Sequence, residues 1–257
     1  MSQENILDKV ERYFNDLKDH YGNTIYFDKE SITKENDNIR LDSETTIETE
    51  NDQEIFMTKE HPSVNPEWQN SKTIDELNAN INKCLKCPLG ATRTNFVFGT
   101  GNPNADIMVI GEAPGADEDA QGKPFVGRAG QLLTKILEAI NLSRDEVFIA
   151  NILKCRPPNN RKPLPGEEDE CEPFLKKQIE LIQPAFILTL GLTAVDRLLN
   201  KKHRMGDIRG SLMEYHGIKM LVTYHPAALL RNPNWKKLAW EDVKILRKLY
   251  NEYLQNS

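Results

Sequence analysis

The 257-residue chain holds four cysteines, Cys84, Cys87, Cys155 and Cys171, and their spacing is that of metal ligands. Cys84 and Cys87 are separated by two residues, so a single turn can present both thiolates to one centre. Cys155 and Cys171 stand too far apart for a second such knuckle and must converge from separate elements. Four thiolates suit an iron–sulfur cluster or a structural zinc ion, and buried free thiols are the third reading that the count leaves open. Disulfides would require an oxidising compartment. The opening Met1-Ser2-Gln3-Glu4 carries an acid where a secretory signal would be basic and then apolar, so the expected compartment is the cytoplasm.

A second group of chemistry-bearing residues follows short apolar runs. Glu112, in Gly111-Glu112-Ala113-Pro114-Gly115, follows the run at 106–110, and Asn151 follows 147–150. Gly191 follows 185–190, and His225, in Tyr224-His225-Pro226, follows 219–223. The four runs read as buried strands, and the helical patterns at 129–140, 166–182, 193–199 and 235–253 alternate with them. This order predicts a doubly wound, three-layer α/β fold, a central, mostly parallel four-stranded sheet flanked by helices. In such sheets the carboxyl ends of the strands face one crevice, so a carboxylate, an amide, a bare backbone and an imidazole would share a rim. That set can transfer protons, read a ligand's hydrogen-bonding edge and stabilise developing negative charge. The segment 200–215 is less regular, and Arg209-Gly210-Ser211 reads as a turn or a short edge strand.

Charge divides the chain. Residues 1–60 carry 16 acidic side chains against 7 basic ones, a net of −9, whereas 61–257 carry 23 against 26, a net of +3. The acidic average therefore conceals a mildly basic remainder that is compatible with a polyanionic partner. Ile6, Val10, Phe14 and Leu17 have helical spacing, so 4–21 is expected to form a short amphipathic helix, followed by a flexible acidic linker. The expected division is an N-terminal extension, 1–71, with a possible protein partner for its helix, and a catalytic domain, 72–257. No apolar run is long enough to span a bilayer and no internal repeat is visible.

Four motifs in order carry a family resemblance. They are 111–115, then Gly122-Lys123-Pro124-Phe125-Val126-Gly127-Arg128-Ala129-Gly130, then Asn151-Ile152-Leu153-Lys154-Cys155-Arg156-Pro157-Pro158, then His225-Pro226-Ala227-Ala228-Leu229-Leu230-Arg231-Asn232-Pro233. Together they resemble the motifs of the family 4 uracil-DNA glycosylases, from about Ile81 to the C-terminus. The resemblance implies that Cys84, Cys87, Cys155 and Cys171 bind one 4Fe-4S cluster per chain, in its own lobe. It implies an enzyme that acts on uracil in single- or double-stranded DNA; the chain is expected to be a monomer associated with the nucleoid. A related branch of that superfamily bonds covalently to its substrate through a histidine after the second strand; here 156–163 has none, so turnover is expected.

Excising a base requires extruding it, holding it and stabilising the broken bond. Leu229, Leu230 and Arg231 supply a wedge for the gap and a cation for phosphate. By resemblance Phe125 stacks on uracil and Glu118 faces its C5 edge, where a block would exclude thymine; Gly111 belongs to the same pocket. The amide of Asn151 offers an acceptor and a donor side by side, matching N3–H and O4 of uracil and mismatching cytosine. His225 can donate to uracil O2, and Glu112 is the carboxylate available to position or activate water. Glycosylases of another family carry their acid one residue later, where this chain has Ala113. Lys83, Lys86, Arg93, Lys154, Arg156, Arg161 and Lys162 surround the thiols in sequence and suggest a basic phosphate-gripping patch. A non-catalytic iron–sulfur DNA-binding or scaffold protein is the second reading, against which the joint presence of Glu112, Asn151 and His225 argues.

Overall fold

The computed structural model describes residues 64–256; the expected helix at 4–21 and most of the acidic linker lie outside them. Six strands form one mixed sheet: β1 (Thr100–Gly101), β2 (Ile107–Gly111), β3 (Phe148–Asn151), β4 (Phe186–Leu190), β5 (Leu212–Tyr215) and β6 (Ile218–Thr223). Their order is β1-β3-β2-β4-β6-β5. The four expected strands are the inner ones, and each inner pairing is parallel. The expectation of a four-stranded sheet is corrected by the two antiparallel edges, β1 on β3 and β5 on β6. Two-residue β1 is too short to show a period, and β5 is half exposed, so neither gives the continuous apolar run of a strand buried on both faces. The irregular segment 200–215 resolves into a short helix, Met205–Ile208, and edge strand β5.

Alternate residues of each inner strand serve opposite faces, as the pleat requires. Met108, Ile110, Phe148, Ala150, Ile187, Met220 and Val222 join one core, with side chains from the helices Ile74–Ile81, Pro165–Ile182 and Leu192–Leu198. Ile107, Val109, Ile149, Leu188 and Leu221 join the other, beneath the helices Arg128–Ala139 and Lys236–Asn256. The chain thus crosses from β2 to β3 over one face and from β3 to β4 over the other. That reversal opens a crevice at the carboxyl end of β2.

The packed chain begins upstream of Lys72. Trp68, in the 3₁₀ turn Pro66–Asn70, is buried and meets Phe174 edge-on at 4.8 Å. Losing a buried tryptophan costs about 3–5 kcal/mol. A chain beginning at Lys72 is therefore expected to melt several degrees below one beginning at Val64, as thermal unfolding followed by circular dichroism will report.

Candidate active site

A cavity of about 490 Å³ lies at the crevice, lined by Glu112, Gly115, Glu118, Phe125, Asn151, His225 and Arg231, with Pro157, Asn160, Arg161 and Lys162 on one wall. Its size is that of a small-ligand site. Gly111 and Asn151 end adjacent strands in register. A Cβ on Gly111 would stand 2.5 Å from both Asn151 Oδ1 and the Phe125 ring, so only glycine lets amide and ring converge there. Asn151 is 2% exposed, yet its Oδ1 finds no hydrogen-bond partner among the described residues. An unpaired buried acceptor is costly, and a bound ligand's N–H would relieve it. The main chain at Asn151 is anchored: its carbonyl accepts from Lys154 Nζ at 2.9 Å, and that ammonium also donates to Gln178 Oε1 at 2.6 Å.

His225 caps the helix Pro226–Arg231, and its Nδ1 accepts the Ala227 amide at 3.2 Å. That bond consumes the Nδ1 lone pair, so the neutral ring carries its proton on Nε2. Burial, reinforced by the Arg231 charge and opposed by Glu118, pulls the pKa of His225 down to about 4. The imidazole is thus a neutral donor at physiological pH. The Phe125 ring lies 5.5 Å from it, tilted by 34°.

Glu118 makes a structural tie that its sequence did not reveal. Its Oε2 accepts from Gly115 N at 3.1 Å, and its Oε1 from Val126 N at 2.9 Å and Gly127 N at 3.0 Å. One carboxylate thereby ties the loop after β2 to the loop carrying Phe125.

Two expectations for the DNA face change. Leu229 is 1% exposed and belongs to the core, because it points inward from the six-residue helix; Leu230, one step on, is half-buried, and Arg231 is exposed. Of the two leucines expected as a wedge, Leu230 presents accessible surface and Leu229 does not. The basic patch also shrinks. Lys154 is fully buried, Arg93 donates to the Cys84 carbonyl and to Cys155 Sγ, and Arg161 pairs with Glu167.

The four cysteines form no disulfide with one another and line one small chamber with Lys86, Gly90, Phe96, Glu170 and Phe174. Burial pushes Cys155 up to about 11 and Cys171 up to about 12, against the pull of Arg93 and Lys154 respectively, so metal binding there would release protons. Among the described residues no three His, Cys, Asp or Glu side chains are grouped closely enough for a single ion. A zinc ion would need all four sulfurs at about 2.3 Å. A 4Fe-4S cluster takes one thiolate on each of its four irons.

The model of the uracil DNA glycosylase superfamily matches residues 98–248, which include every cavity residue named above. The chain belongs to that superfamily. Among its relatives, a type-4 uracil-DNA glycosylase of Saccharolobus solfataricus is 47% identical over 187 residues, 68% of this chain and 85% of the relative. One from Thermotoga maritima is 41% identical over 181 residues, 69% and 94% of the two chains. A type-5 uracil-DNA glycosylase of Pyrobaculum aerophilum is 31% identical over 172 residues, 58% and 72%.

Within this superfamily member, Gly111, Glu112, Glu118, Phe125, Asn151, His225 and Arg231 converge on one crevice, and the four cysteines on one chamber. Sequence reasoning gave no part to the wall residues Pro157, which lies inside the third motif, and Asn160, which lies just after it. No helix of the described residues is long and apolar enough to cross a membrane.

Proposed function

We propose that this protein is a DNA repair glycosylase that flips uracil out of single- or double-stranded DNA and hydrolyses its N-glycosidic bond, leaving an abasic site. The observation that carries this reading is the unpartnered Asn151 Oδ1, buried in the cavity that also holds Phe125 and the neutral His225. Uracil N3–H satisfies that acceptor, and the Asn151 amide group meets O4. Phe125 stacks on the ring, a contact worth about 1–3 kcal/mol per base. As the bond from N1 to the sugar C1′ breaks, its electron pair stays on uracil. His225 Nε2–H donates to O2 and stabilises that charge without itself ionising. The sugar is left electron-poor, and Glu112, half-buried at the rim, stabilises it, orients the water that adds to C1′ and accepts the proton which that water gives up, which then passes to the uracil anion. Leu230 fills the vacated stack and Arg231 grips phosphate. Glu118, beside the base, limits space at C5 through the loops it joins.

The thiols fit one 4Fe-4S cluster held by Cys84, Cys87, Cys155 and Cys171. When bound, the cluster supplies a structural tie between the segment before β2, the segment after β3 and the helix Pro165–Ile182. Protein purified anaerobically from iron-replete cells is expected to be brown and to contain about four iron atoms with matching inorganic sulfide per chain. Zinc without iron would overturn that assignment.

The activity itself is tested by uracil release from oligonucleotides containing one uracil, beside matched thymine and cytosine controls. Binding without release would favour a non-catalytic DNA-binding role. We place the protein in the cytoplasm as a monomer at the nucleoid, with any further protein partner held by the extension at 1–71.

A further inference from the structure

Phe125 has φ +54°, a left-handed conformation that side-chain-bearing residues adopt only where their surroundings impose it. Three contacts impose it here. Arg144 Nη2 donates to the Pro124 carbonyl at 2.9 Å and Nη1 to the Phe125 carbonyl at 3.1 Å. Beyond the ring, Glu118 accepts the amides of Val126 and Gly127. Beneath it, a Cβ on Gly130 would come within 1.8 Å of the Phe125 carbonyl oxygen, so the helix Arg128–Ala139 fits under the turn only with glycine there. Arg144 does not line the cavity, and it comes from the connector between that helix and β3.

We propose that Arg144 is a positioning residue for the base-stacking platform: its guanidinium holds the two carbonyls at Pro124 and Phe125, so that the ring is set beside His225 before a base arrives. The planar fork matters, because two N–H groups reach two successive carbonyls at once, which a lysine ammonium cannot reproduce in the same geometry. This inference rests on the reading of Phe125 as the platform for uracil.

A double-mutant cycle tests it, with uracil release measured in single turnovers over a range of enzyme concentrations, giving a maximal rate and a half-saturation constant. Arg144→Ala is expected to reduce their ratio about tenfold, mostly through half-saturation, in keeping with a misplaced stacking partner. Arg144→Lys should recover part of the loss. In a Phe125→Ala background, Arg144→Ala should change the ratio less than twofold. Equal losses in both backgrounds would show a general structural role and overturn the proposal, as would wild-type kinetics for Arg144→Ala. Should Arg144→Ala prove unfolded by circular dichroism, Arg144→Lys enters the same cycle with the same two deciding outcomes. If Phe125→Ala alone keeps the wild-type ratio, the platform reading fails first and the proposal falls with it.

Discussion

His225→Ala slows single-turnover uracil release by about 10² to 10³, the loss typical when one preorganised donor to a developing anion is removed. DNA binding changes little, because the donated bond strengthens only as charge gathers on uracil O2. The wild-type rate should also lack an inflection from His225 near pH 6.5, since burial and Arg231 hold its pKa near 4 and the Ala227 amide fixes the proton on Nε2. Stability follows the same shift. The folded pKa lies below the unfolded one, so the unfolded chain takes up the proton first, and this histidine's contribution to stability is lost as pH falls from about 6.5 towards 4. Near wild-type release by His225→Ala would make the imidazole a helix cap and nothing more.

Asn151→Asp lowers the ratio of uracil to cytosine excision by about 10- to 100-fold, since each polar group left unpaired in a buried site costs about 1–3 kcal/mol. At neutral pH the carboxylate is acceptor-only. It still satisfies uracil N3–H but opposes O4, whereas the exocyclic amine of cytosine gains an acceptor. Uracil release falls while cytosine discrimination relaxes, which separates reading from bond cleavage. The buried setting sharpens the effect, because Asn151 is anchored through Lys154 and is nearly sealed from water. A mutant that loses rate on uracil with its discrimination intact would assign the reading to other groups, such as the main chain of the cavity wall.

The inner sheet was legible because its signals are local. Four apolar runs, each buried on both faces, announce parallel strands wherever the chain finally puts them, and the glycines, Glu112, Asn151 and His225 that follow them must then gather at one rim. Beyond those runs, the ordered motifs themselves carried the likeness to the glycosylases.

Solvent exposure and partnership were decided by the tertiary structure, since both depend on what packs alongside. Leu229 and Leu230 differ in burial by one step along a six-residue helix, too short for any period to mark its inner face. Lys154 reads as one more surface cation in a basic stretch, yet it is fully buried because the Asn151 carbonyl and Gln178, 24 residues on, receive its ammonium. Trp68 belongs to a stretch that reads as the end of a linker until Phe174, more than a hundred residues later, covers it. Arg144 has no motif around it, and only the fold brings its guanidinium to the carbonyl of Phe125. The sequence by itself determined the strand ends and the chemistry they carry, because strand burial and residue type are written in neighbouring positions. Which side chains meet solvent or one another was settled only when distant segments closed on the sheet, because those contacts join residues that no local pattern connects.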